Sequence, residues 1–274
     1  MFKGGKMDYI KKIPAIRWED GKYEEVEEKT VSDENIYFHI DSLPPRKFST
    51  YPEDLEDFGV GYCLGDGLVN SFDDIESIDI EDKHITIKTK FNHGADDENS
   101  DNDEKPEVEA DVLCYQCVMS DSAGGWRSEL KKIEPIESDL VVNASDIIAN
   151  MKRLTAKAEI WQATGSVHVA QLVYKDQFIT REDVSRHVAV DKVIGAAAKA
   201  GFDLSHCYVT YSGRMPADMV IKMVRVGVPV LVSNAAPAGS GYEVAVKGNI
   251  TLVGFVRSNR FNLYGNAERI NLDG

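Results

Sequence analysis

Residues 207–233 read Cys207-Tyr208-Val209-Thr210-Tyr211-Ser212-Gly213-Arg214-Met215-Pro216-Ala217-Asp218-Met219-Val220-Ile221-Lys222-Met223-Val224-Arg225-Val226-Gly227-Val228-Pro229-Val230-Leu231-Val232-Ser233. The run 207–212 is β-branched and aromatic and stops at Ser-Gly, the mark of a strand entering a turn. Pro216 then opens a segment with apolar residues at helical spacing that closes at Gly227, which predicts a helix over 216–226. A second apolar run, 229–233, predicts a second strand. A strand, a helix and a strand of these lengths form a βαβ unit, which needs a sheet covered on both faces.

The same alternation extends outward. A helix is expected at 184–200 and another around 240–247, followed by a strand at 250–256. Upstream, Ser145 and Asp146 supply acceptors and negative charge at the start of a helix through Ile147, Ile148, Met151 and Leu154. Residues 144–274 thus read as an α/β core.

Residues 1–143 read differently, as a smaller β-rich α+β portion. Residues 35–40 look like a strand running into Pro44-Pro45. After Pro52, apolar residues recur at helical spacing, predicting a helix over 53–65 that ends near Gly65–Gly67. Residues 75–80 and 84–91 alternate apolar and polar, as a hairpin does. The segment 94–109 is dense in Asp and Glu with a single lysine, Lys105, and reads as a solvated loop.

Charge separates the same two parts. The 274-residue chain carries a formal −15. Residues 1–143 hold 16 basic and 35 acidic side chains, a net −19, while residues 144–274 hold 15 and 11, a net +4. The overall balance argues against bulk nucleic acid and against an anionic membrane surface, leaving room for a small anionic ligand in the second half. The uncharged stretch Val226 to Tyr242 is interrupted by Pro229 and Pro237 and does not suit a membrane span. Met1 to Pro14 lacks an apolar core of signal-peptide length, so a cytoplasmic location is expected.

Cys114 and Cys117 form a C-x-x-C between an expected strand at 110–113 and the turn-rich Ser120 to Gly125. Taken alone the spacing fits half of a zinc site, redox or sulfur-transfer chemistry, or a structural role. Nucleobase deamination is disfavoured, because no histidine is followed two positions later by the glutamate such enzymes use. Cys63 and Cys207 sit in apolar stretches.

Polar clusters interrupt the apolar second half at 164–168, 181–187 and 212–214, where strands and helices are expected to meet. Anions bind at such junctions, on helix N-termini and beyond the carboxyl ends of strands. Other uses are open to these residues: Glu182 or Asp183 as helix caps, His187 as a core histidine, and Arg214 as an i,i+4 partner of Asp218. A final cluster, 254–262, runs a strand into a turn with Arg257, Asn259, Arg260 and Asn262. Its guanidinium forks suit phosphate or carboxylate oxygens, and the alternative is an ordinary exposed hairpin.

Taken in order, these stretches resemble the FdhD family of formate dehydrogenase accessory sulfurtransferases, from roughly Pro52 to Tyr264. The resemblance lies in Asp57 to Val69, Cys114-x-x-Cys117, Thr164 to His168, Glu182 to Lys192, Ser212 to Lys222 and Gly254 to Arg260. Where the family has C-G-x-C-G, this chain has Cys114-Tyr115-Gln116-Cys117-Val118. Ser166 and Ser185 replace glycines, Val188 replaces asparagine, and Pro216 and Asp218 stand for serine and glutamate.

The resemblance implies a cytidine-deaminase-like α/β/α core without a catalytic metal. It also implies a sulfurtransferase that receives sulfur from a cysteine desulfurase and passes it to the bis-molybdopterin guanine dinucleotide form of the molybdenum cofactor, for formate dehydrogenase. Cys114 would carry the persulfide, with Cys117 second. The cofactor, bound as a substrate through its guanine nucleotide, would meet Phe255, Val256, Arg257, Ser258, Asn259 and Arg260, together with Thr164, His168, Asp183, His187, Ser212 and Arg214. A homodimer is compatible with this reading. Its competitors are a cofactor-binding chaperone without transfer chemistry and a protein whose C-x-x-C holds zinc.

Overall fold

The computed structural model describes residues 9–93 and 125–274. The expected strand at 110–113, the acidic segment 94–109 and the C-x-x-C at 114–117 lie outside the described residues.

The N-terminal part opens with a ribbon of two antiparallel strands, β1 (Ile10–Glu19) and β2 (Lys22–Val31). It continues through β3 (Glu34–Ile40), β4 (Arg46–Thr50), helix α1 (Leu55–Asp66), β5 (Ile75–Glu81) and β6 (His84–Thr89). Strands β3 to β6 form one sheet in the order β4-β3-β6-β5. The helix and hairpin expected from sequence are thus present; the ribbon was not foreseen, because its strands alternate charged residues with few apolar ones.

Helix α1 is buried on nearly every side from Leu55 to Gly65. It is clamped between this first sheet, which offers Phe38, Ile85 and Ile87, and the helices of the second part. That position explains its glycines. A Cβ on Gly61 would lie 1.8 Å from the carbonyl oxygen of Asp191, so only a residue without a side chain permits the approach. Gly67, at φ 73°, terminates the helix in the left-handed conformation, and its N–H and that of Leu68 return to the last carbonyls.

The second part begins with α2 (Gly125–Lys132), β7 (Val142–Asn143), α3 (Ala144–Ala156) and α4 (Glu159–Thr164). Then follow β8 (His168–Tyr174), β9 (Gln177–Asp183), α5 (Arg186–Lys199), β10 (Cys207–Tyr211), α6 (Ala217–Val226), β11 (Val230–Ser233), α7 (Gly239–Gly248), β12 (Thr251–Gly254), β13 (Asn262–Gly265) and β14 (Ile270–Asn271). The main sheet runs β13-β12-β11-β10-β8-β9. Strands β10, β11 and β12 are parallel, as the βαβ reading requires.

Upstream of β10 the expected helices at 184–200 and from Ser145 are present, but the sheet departs from the parallel βαβ pattern. β8 and β9 form an antiparallel hairpin, and β8 pairs antiparallel to β10. The tight turn at Lys175, at φ 53°, and Asp176 leaves no room for a helix between them. Alternate residues of the central strands face opposite layers. Leu231 and Leu252 join the core with α1, α5 and α6, whereas Val230, Val232 and Val253 pack toward Ile147 of α3. The sheet is therefore covered on both faces. Among the described residues no helix is long and apolar enough to cross a membrane.

Candidate functional site

Because β8 enters the sheet against the direction of β10, its first residue stands at the same edge as the last residues of the parallel strands. His168 pairs in register with Asp183 at the end of β9, and Ala170 with Tyr211 at the end of β10. The polar clusters at 164–168, 181–187, 212–214 and 254–260 consequently share one edge of the sheet, beyond the carboxyl ends of β10, β11 and β12. That is the edge where open α/β sheets take ligands.

Backbone hydrogen bonds stitch the three loops at this edge together. Met215 N donates to Ala236 O at 3.2 Å and Ala238 N to Met215 O at 3.0 Å. Phe255 N donates to Ala235 O at 3.0 Å and Val256 N to Ser233 O at 3.1 Å. The Ser233 hydroxyl donates to Gly213 O at 2.6 Å. The Arg257 guanidinium holds Asn234 O at 2.8 Å and Val256 O at 2.9 Å, fixing the 255–260 turn, which is a hairpin joining β12 to β13.

Phe255 adopts φ 55°, a left-handed conformation that an aromatic residue reaches only at an energetic cost, and the residue is 39% exposed. Around it Arg214, Asn234, Arg257, Ser258, Asn259 and Arg260 are all exposed. Val256, also assigned to this group from sequence, points the other way into the core.

The histidine side of the edge is more enclosed. His168 Nδ1 lies 2.9 Å from the carbonyl oxygen of Ser212; a carbonyl can only accept, so this nitrogen carries the proton and Nε2 of the neutral ring is an acceptor. The Ser212 hydroxyl accepts the amide of Val169 at 3.0 Å. Burial holds His168 below the usual histidine value. Thr164 caps the end of α4, its hydroxyl donating to Ile160 O, and reaches the edge through the short link to His168.

Two residues expected to touch ligand do not face outward. Asp183 is fully buried, and its carboxylate accepts from Tyr51 N at 3.0 Å, from Ser185 N at 2.8 Å, from the Thr50 hydroxyl and from Lys192 Nζ at 2.8 Å. With its acceptor sites filled from inside, it is a positioning residue that joins β9 to α5. His187 is 5% exposed, and its Nε2 lies 3.0 Å from Asp218 Oδ2. Burial outweighs that attraction and holds the ring below its ordinary value. The expected i,i+4 partnership of Asp218 with Arg214 is replaced by this contact. Glu182 acts as a cap, accepting Ile160 N and Trp161 N at the start of α4.

A second buried pair, Lys222 with Asp191, joins α6 to α5 beneath the edge. The pairs Asp183–Lys192 and Asp191–Lys222 use the ends of the 182–192 and 212–222 stretches, so these motifs serve packing as well as the site. Cys63 and Cys207 are buried apart from the edge, and burial pushes each thiol up to about 12, which leaves both as inert thiols. Arg186 was not singled out from sequence. It lies over Gly213 with its Nε buried and unpartnered, a feature visible only in three dimensions and shared with Arg269.

Residues 31–271 match the model of the FdhD/NarQ family. The sulfur carrier protein FdhD of Methanothermobacter thermautotrophicus is 44% identical over 96% of this chain and 100% of its own length. That of Shouchella clausii is 30% identical over 81% and 82%. The crystal structure of a Desulfotalea psychrophila protein, provisionally assigned as a formate dehydrogenase accessory protein, shares the fold at a TM-score of 0.73. It is 22% identical, and the match covers 96% of this chain and 100% of that one. The chain belongs to the FdhD/NarQ family.

Proposed function

We propose that this protein is a sulfur carrier that receives a sulfur atom from a cysteine desulfurase and delivers it to the bis-molybdopterin guanine dinucleotide form of the molybdenum cofactor, as needed by a formate dehydrogenase. The observation that carries the reading is the gathering of Arg214, Phe255, Arg257 and Arg260 around one sheet edge in the basic half of the chain. An anionic nucleotide with an aromatic base suits that edge: guanidinium forks match phosphate oxygens and an exposed ring offers a stacking face. The names of its relatives as sulfur carriers support the transfer chemistry. The sheet covered by helices on both faces supports the deaminase-like description of the core.

In the transfer, the Cys114 thiolate attacks the terminal sulfur of the desulfurase persulfide. A sulfur–sulfur bond forms on Cys114 while the old one breaks, and the desulfurase cysteine leaves as a thiolate. The Cys117 thiolate then attacks the inner sulfur of Cys114, releasing hydrosulfide to the bound cofactor and leaving a Cys114–Cys117 disulfide. A thiol reductant restores the dithiol before the next cycle.

The test uses cysteine labelled with radioactive sulfur, a cysteine desulfurase and the folded protein. Label that appears on the protein, is released by thiols and is lost in Cys114→Ala/Cys117→Ala supports the proposal. An unlabelled wild-type protein with a normal unfolding transition rejects the persulfide step. GDP should raise the melting temperature of the wild-type protein, and Arg257→Ala/Arg260→Ala should weaken that protection.

A further inference from the structure

Among the described residues the arginines with enclosed side chains are paired with carboxylates, apart from Arg186 at the site and Arg269, whose Nη1 donates to Asn249 O at 2.7 Å and whose Nε, like that of Arg186, is buried without a partner. Arg46 bonds Asp66 at 2.7 Å, Arg181 bonds Asp57 at 2.7 Å and Arg225 bonds Glu129 at 2.9 Å. Arg186, the first residue of α5, makes no ion pair or side-chain hydrogen bond among the described residues, and its Nε is buried without a partner. A guanidinium carries five donors and keeps its charge at any ordinary pH, and burying one of them, the Nε–H, without an acceptor is costly.

The surroundings of Arg186 show why the fold does not satisfy it. Its Cδ lies against Gly213, where a Cβ would sit 3.0 Å away, so the side chain crosses the Ser212-Gly213-Arg214 loop. The titratable groups it influences are those of the same edge: His168, His187, Tyr211 and Asp218. The carboxylate among them, Asp218, is engaged by His187 Nε2 at 3.0 Å. His168 offers no compensation, because its free Nε2 belongs to a neutral ring. The result is a cation at the carboxyl end of β10, carried by the first residue of α5, with no ion pair among the described residues.

We infer that Arg186 is the diphosphate-binding residue of this site, completing its donor set with two oxygens of the nucleotide's phosphate bridge. The inference rests on the guanine-nucleotide reading above and assigns the phosphates to a residue outside the Phe255 to Arg260 turn. The chain enters α5 directly from Ser185, so the helix N-terminus adds its partial positive charge at the same place. Arg214 and Arg260, exposed at the same edge, add to the charge that attracts the phosphates, and Phe255 offers its ring to the base. An arginine suits the phosphate role because its planar fork takes two oxygens at once, which a lysine in the same place cannot do.

The experiment is calorimetric titration of GDP, guanosine and inorganic pyrophosphate into the wild-type protein, Arg186→Gln and Arg186→Lys. Loss of a charge-assisted pair weakens GDP roughly 10- to 100-fold in Arg186→Gln. Arg186→Lys should recover part of the loss, and guanosine should bind all three proteins alike. Removing an unpaired cation should also leave the unliganded Arg186→Gln protein at least as heat-stable as wild type, which a structural arginine would not allow. Equal GDP affinity in wild type and Arg186→Gln overturns the inference and leaves the nucleotide site standing. Failure of both GDP and pyrophosphate to bind the wild-type protein overturns the site and the inference together.

Discussion

Replacing Lys192 by methionine removes the ammonium from the most enclosed ion pair of the fold. Lys192 Nζ lies 2.8 Å from Asp183 Oδ2 and 2.8 Å from Tyr51 O, and both side chains of the pair are 0% exposed. In Lys192→Met the carboxylate keeps its neutral donors, Tyr51 N, Ser185 N and the Thr50 hydroxyl, but loses its counter-charge. Breaking a buried pair from one side costs about 3–5 kcal/mol. For a chain of this size that is a fall in melting temperature on the order of 10 °C. Urea unfolding followed by circular dichroism should show the loss as a lower midpoint at unchanged slope. The double variant Asp183→Asn/Lys192→Met removes the stranded charge and should recover more than half of the loss. Since Asp183 ties the end of β9 to the start of α5, GDP affinity should fall in the single variant and return in the double. A single variant that loses less than about 1 kcal/mol, the value of an exposed pair, would refute the argument that this pair is desolvated.

Three further outcomes follow from the geometry. Gly61→Ala or Gly195→Ala forces a Cβ to within 1.8 or 1.9 Å of a carbonyl oxygen on the facing helix, which should cost more than about 3 kcal/mol and be seen as loss of soluble, cooperatively unfolding protein. Burial lowers His168 below its ordinary value of 6.5, so the stability tied to its neutral form is present above that pH and is lost as pH falls through it; His168→Gln should show a flatter stability profile between pH 7 and 5 than wild type. Phe255→Gly relieves a left-handed backbone, so the unliganded variant should be as stable as wild type or firmer by about 1 kcal/mol, while GDP binds more weakly in calorimetry.

The elements read most readily in sequence were those whose periodicity reports one environment. The βαβ run 207–233 is legible because its strands, buried on both faces, are apolar and β-branched almost throughout and its helix is bounded by Pro216 and Gly227. Helix α1 was found from its start and stop residues, although its residues are buried on nearly all sides. The β8–β9 hairpin escaped because its outer strand, β9, carries Thr180, Arg181 and Glu182 where a buried strand would carry apolar residues. The reversal of β8 escaped with it, and that reversal brings His168 to Ser212. Asp183 and His187 were visible as polar residues in an apolar region, but sequence cannot tell a carboxylate facing ligand from one facing a lysine nine residues on.

The packing of α1 on α5 accounts for that ambiguity physically. Gly61 and Gly195 let the two helices meet backbone to backbone, an approach that leaves no layer of side chains and no water between them. Polar side chains flanking such a contact must find partners within the protein. Asp191 therefore pairs with Lys222, and Lys192, one residue further along α5, turns to Asp183. Burial still pushes Asp191 up to about 6 despite its lysine, a sign that desolvation is the stronger effect there. Buried pairs of this kind are poor sources of stability compared with apolar packing. What they provide is position: Lys192 fixes the end of β9 through Asp183, and the end of β9 fixes the start of α5. Arg186 sits on that start, so the closeness of two helices deep in the core helps to place its guanidinium at the sheet edge.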